Sequence, residues 1–157
     1  METWHPEPRR FVRAAILAGL TGAILIDAYL SVTHAFIFHD ATPLEVSQWD
    51  ASNVLGRAAF QGGWPAAGLG FLLHLAVSLF WATLFVFAAT RLKALVDQPI
   101  LWGAVYGVLV MLVMRFAVVP LGHAALGATS PAALINVSIA HVLSFGIPVA
   151  LVTRRFL

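Results

Sequence analysis

Four apolar segments, each about 20 residues long, occupy most of this 157-residue chain. They run roughly from Phe11 to Val32, Ala67 to Ala89, Ile100 to Pro120 and Ala132 to Val152. At ~1.5 Å per residue each is long enough to cross a ~30 Å hydrocarbon core as a helix. Composition agrees: 61% of residues are apolar, 10% are charged and the mean hydropathy is +0.90. A soluble domain of this size rarely carries that balance. Lipid-facing backbone must satisfy its own hydrogen bonds, and the alternating ten-residue pattern of barrel strands is absent. The expectation is therefore an all-α integral membrane four-helix bundle. No internal repeat or low-complexity run divides it, so residues 1–157 form one domain.

The basic residues set an expected orientation. Arg9, Arg10, Arg13, Arg91, Lys93, Arg154 and Arg155 fall on one side of a four-span arrangement, Arg57 falls on the other, and Arg115 lies inside the third span. The positive-inside rule then places both termini and the 91–99 loop in the cytoplasm of a bacterial inner membrane. The sequence pI near 9.7 reflects these membrane-edge residues and calls for no nucleic-acid partner. Asp27 interrupts the first apolar run and no convincing small-residue cleavage site follows, so that run reads as a mature helix rather than a signal peptide. With no cysteine, disulfides, thiol nucleophiles and Cys-ligated metals are excluded.

The loop between spans one and two has its own signals. Thr42-Pro43-Leu44-Glu45 fits a capping box with proline at the first helical position, and predicts an extramembrane helix over about 43–61. Gly62-Gly63, before Pro65, should end it. Trp49, Val54, Leu55 and Phe60 among small and polar residues suit a helix lying at the headgroups or covering the bundle. It serves either as a structured connector or as a lid. Ser130-Pro131 opens the fourth span and Gln98-Pro99 the third.

Any chemistry lies in polar residues inside the spans. Asp27, Ser31 and His34 share one face of the first helix, and His74, Ser78 and Trp81 one face of the second. Arg115 sits on the third, and Asn136, Ser138, His141 and Ser144 on the fourth. Counted from the outer ends, Asp27, His74 and Arg115 each lie about 7–9 Å deep, with His141 somewhat deeper and His34 at the boundary. An isolated charge in hydrocarbon costs ~3 kcal/mol on insertion scales. Pairing of Asp27 with Arg115 across helices, bridged by His74, would relieve that cost. The candidate ligand-binding or buried polar cluster is thus Asp27, His34, His74, Arg115, Asn136 and His141. Ser78 and Ser144 are placed to hydrogen-bond the two deeper imidazoles.

These residues support a small non-enzymatic protein, accessory or transport-related, that binds a small ligand, ion or partner in the outer half of the bilayer. One alternative is a haem-b electron carrier using His74 and His141, since a b-type haem needs two facing histidines on different helices. Another is a structural subunit of a larger membrane complex. His34, His39, His74 and Asp27 have ligand types suited to zinc or copper but no short metal-ligand spacing, so no metal site is assigned. No catalytic residue is assigned either. Gly103-x3-Gly107 and Ala15-x3-Gly19-x3-Ala23 are small-residue stripes that should pack inside the bundle, a homo-oligomer seam being the alternative. A break in the last helix is expected at Pro148, beside Gly146.

His74-x3-Ser78, Trp102-Gly103-x3-Gly107, Pro120-Leu121, Val137-Ser138-x2-His141 and the closing Arg154-Arg155 occur in one order. In that order the chain resembles the YagU-type bacterial inner-membrane proteins over roughly residues 68–155. Span one and the loop after it lie outside the resemblance. It implies a small helical inner-membrane protein and carries no catalytic residues and no reaction.

Overall fold

The computed structural model describes residues 7–124 and 130–157. Six helices and no strand occur among them: α1 (Pro8–Phe38), α2 (Pro43–Leu55), α3 (Gly63–Ala89), α4 (Ala94–Asp97), α5 (Pro99–Leu121) and α6 (Pro131–Phe156). Helices α1, α3, α5 and α6 are long and apolar enough to cross a membrane. Proline stands in the first turn of each of the four, where its missing N–H costs no intrahelical bond. Ser130 caps α6 through its hydroxyl, which accepts from the Ala133 amide at 3.1 Å. Gln98 occupies the equivalent place before α5 without a side-chain cap.

The bundle is small inside and large outside. Ala14, Ala18, Ala23, Ala82, Ala140 and Ala150 are fully buried, whereas Phe80, Phe87, Leu101 and Leu143 lie on the outer face, each more than half exposed. Such a surface suits lipid, which gives large apolar side chains no reason to turn inward and leaves close backbone packing to hold the helices together. Both small-residue stripes are used this way. Gly19 of α1 lies against Leu79 of α3. Gly103 and Gly107 of α5 lie against Gly146, Ile147, His141 and Val142 of α6, with backbone atoms closer than a methyl group allows.

Three of the long helices each contain one stretch of wider, π-helical winding: His34–Phe38 in α1, Met114–Val118 in α5 and Ala140–Gly146 in α6. Two of these have a cause in the sequence. Proline cannot donate to the carbonyl four residues back and its ring collides with it. Just before Pro120, the Val119 amide reaches five residues back to Met114, and just before Pro148 the Ile147 amide reaches back to Val142. The break expected at Pro148 therefore takes the form of a π turn, an inserted residue of the kind frequent at functional sites.

Helix α2 lies across one end of the bundle. Its capping box is formed: the Thr42 hydroxyl accepts from the Glu45 amide at 3.3 Å, and Glu45 Oε2 accepts from the Thr42 amide at 2.8 Å. These contacts, with the backbone amide foremost, hold the Glu45 carboxyl below its ordinary range. The helix ends at Leu55 rather than Gln61, because Gly56 adopts φ 58° and Gly56–Gln61 continue as 3-10 turns. Glycine is suited to that angle since it has no Cβ to clash. Span two then starts at Gly63, so Pro65 lies inside its first turn rather than beyond a break. Gly70 of α3 admits the Ser47 carbonyl of α2 at backbone contact. The buried Gln48 side chain donates to the Gly63 carbonyl at 3.1 Å. Past α5, the His123 amide donates to the Asn53 carbonyl at 2.8 Å. This helix is thus seated on the bundle by three separate contacts.

Candidate functional site, a cavity under α2

Beneath α2 lies a cavity of about 180 Å³. Its lining includes Asp27 from α1, Trp49 and Asp50 from α2, His74, Ser78 and Trp81 from α3, Arg115 from α5 and His141 from α6. Of the six residues expected to cluster, the structure brings together Asp27, His74, Arg115 and His141. It does not bring His34 or Asn136 to the cavity wall.

His74 is the best-anchored of the group. Its Nε2 donates to the Ala23 carbonyl on α1 at 3.3 Å, and its Nδ1 lies 3.4 Å from Asp50 Oδ2. A carbonyl only accepts, so Nε2 carries a hydrogen. Nδ1 then either donates to the Asp50 carboxylate as an imidazolium or accepts from a protonated carboxyl. In both arrangements the pair is neutral as a unit. On α6, His141 Nδ1 donates to the Val137 carbonyl one turn back, at 2.8 Å, leaving Nε2 with its lone pair. The imidazoles are therefore held by backbone carbonyls rather than by Ser78 and Ser144. Asp27 and His141 each lie within electrostatic range of His74 and Asp50.

The ion pair expected between Asp27 and Arg115 is not formed, although both line the cavity. A salt bridge there joins His74 to Asp50, a residue of α2 outside the spans expected to hold the polar cluster. A signal for it was present. Val46, Trp49 and Asp50 stand at i, i+3 and i+4 of α2, which puts one apolar, one aromatic and one acidic side chain on a single face. That face is the one turned to the cavity.

His34 and Asn136 serve elsewhere. His39 takes a left-handed conformation, φ 54°, which reverses the chain so that Asp40 returns to His34. The resulting contact between His34 Nδ1 and Asp40 Oδ1 is 2.7 Å, and the His34 ring meets Trp49 edge-on at 4.7 Å. His34 thus braces a cavity-lining tryptophan from behind. Asn136 donates to the Thr33 hydroxyl at 3.1 Å, a buried tie between α1 and α6.

The haem arrangement does not fit these side chains. Both nitrogens of His74 are engaged by the protein, so it offers no lone pair to iron without giving up a contact. The volume is also below the roughly 300–1,000 Å³ of pockets for drug-sized ligands, and a porphyrin is a large one. Among the described residues, no three His, Cys, Asp or Glu side chains come close enough to hold a metal ion. No protein-family model, curated protein or solved structure gives a match to this chain. The fold and the cavity define its class, an all-helical protein with four helices long and apolar enough to cross a membrane and a chamber among them into which ionisable side chains project.

Proposed function

We propose that this chain is a small, non-enzymatic bacterial inner-membrane protein, accessory or transport-related, whose cavity binds a small ligand or ion. One observation carries the reading. Ionisable side chains from all four spans and from α2 line a single, otherwise largely apolar chamber that is too small for a large cofactor. Ionisable groups within spans are costly and commonly mark a ligand or ion site. Arg9, Arg10, Arg13, Arg91, Lys93, Arg154 and Arg155 stand at the end away from α2. The positive-inside rule assigns that end to the cytoplasm, and so assigns the cavity to the outer half of the bilayer, reached from the periplasm. The resemblance to YagU-type proteins is consistent with this membrane and adds no ligand.

Two experiments test the reading. A reporter fused after Leu157 should read cytoplasmic and one inserted near Asn53 periplasmic, and the reverse would remove periplasmic access. In detergent, thermal stability should be followed against a panel of small cations, anions and zwitterions. A saturable rise with at least one of them, lost when Ser78→Phe fills the chamber, is the expected result. A panel with no saturable response would reduce the chamber to a structural feature.

A further inference from the structure

Atoms left without a partner identify what the cavity is built to receive. Among the described residues, every fully enclosed side-chain nitrogen and oxygen has a hydrogen-bond partner. The Asp27 carboxylate, the Ser78 hydroxyl and His141 Nε2 make no hydrogen bond to another described residue, and all three residues line the chamber. All three can accept. Asp27 accepts as a carboxylate, Ser78 through its oxygen lone pairs, and His141 through the ring nitrogen left bare by the bond to Val137. The indoles of Trp49 and Trp81 share the lining and present the kind of surface that attracts a cation.

Resting on the reading of the chamber as a ligand site, we propose that it binds a protonated amino group, R–NH3+, with Asp27 as counter-charge and Ser78 and His141 as further acceptors. An ammonium carries three donors and no acceptor, which complements these three groups. Among the described residues no three His, Cys, Asp or Glu side chains are grouped as a metal ion's ligands would be. An anion would lie against the Asp27 carboxylate, and because the Arg115 guanidinium lines the same chamber, acetate is the competing probe. The His74–Asp50 unit is neutral overall, and Asp27 forms no ion pair with another described residue.

The test uses the whole chain purified in detergent, with methylammonium, glycine, sodium and acetate as probes at matched ionic strength. Methylammonium should raise the melting temperature saturably and give a calorimetric binding isotherm, while sodium should do neither. Asp27→Asn should weaken binding at least about tenfold, because it removes a charge-assisted bond. Ser78→Ala should weaken it by about threefold, the effect of one ordinary hydrogen bond. Binding of glycine as well would place the amino group on a larger molecule, and its failure would restrict the site to simple amines. Saturable binding of acetate without methylammonium would overturn the amine assignment while leaving the chamber a ligand site. Wild-type affinity in folded Asp27→Asn would also overturn it. Should that variant not fold, unchanged affinity in Ser78→Ala does the same. Silence from the amines alone sinks this proposal, and silence from the whole small-ion panel sinks the ligand-site reading with it.

Discussion

Replacing Gly146 by alanine would set a Cβ 2.6 Å from the amide nitrogen of Gly107 and 2.7 Å from its Cα, and closer still to the Gly103 carbonyl. All three neighbours are backbone, so no rotamer change relieves the clash and α5 must move away from α6. Overpacking of this kind costs typically 1–3 kcal/mol, and the absence of a flexible neighbour argues for the upper end. Alanine recovers up to about 1 kcal/mol of helix propensity, which leaves a net loss of about 2 kcal/mol. Gly68 provides the control. It lies on the exposed side of α3, and a Cβ there meets nothing within 4 Å. Gly68→Ala should therefore stabilise by roughly 0.5–1 kcal/mol through propensity alone. Reversible unfolding in mixed micelles, read by far-UV circular dichroism, measures both. The reasoning fails if Gly146→Ala is as stable as the parent, or if the two variants shift in the same direction.

Further expectations concern the ends of the cavity. In a double-mutant cycle, His74→Gln and Asp50→Asn should be non-additive by about 0.5–1.5 kcal/mol. The lower part of that range is favoured because the Asp50 side chain is 39% exposed and partly screened. Strict additivity would mean the two do not interact. Thr42→Ala should cost about 1 kcal/mol of stability by removing the cap of α2, and unchanged melting would discount the capping box. Because Glu45 is held below its ordinary range, its contribution is full above the usual glutamate pKa and disappears as pH falls through the lowered value. Between about pH 5 and pH 3 the wild type should consequently lose slightly more stability than Glu45→Gln, and parallel curves would contradict this.

Four spans were legible because a bilayer selects on length and apolarity, two properties that sequence carries locally. The Thr42 and Ser130 caps were legible for the same reason, since each joins residues three positions apart. Counting along straight helices puts Asp27, His74 and Arg115 in one layer with His141 somewhat deeper, and all four line the cavity. Partners were harder to read. His34 was grouped with Asp27 on an α-helical face, but it begins a π turn and finds Asp40 six residues on, a spacing outside any α-helical rule. Asp27 was matched to Arg115 on charge and depth alone. The true acid at His74 comes from α2, whose seating depends on Gly70 accepting the Ser47 carbonyl, a tertiary event without a local signature.

The π turns before Pro120 and Pro148 have a consequence for how such a chain tolerates change. Each holds one residue more than an α-helix would need over the same rise, so the segments on its two sides are out of phase by about 100°. Arg115 and His141 lie inside these turns, so the direction each side chain takes depends on the extra residue being there. Deleting a single residue from 114–118 or 140–146 would leave a span long enough for the membrane while rotating everything beyond it off its seat. Chain length at these two places is therefore a stricter constraint than side-chain identity, and insertions and deletions there should prove more damaging than most substitutions.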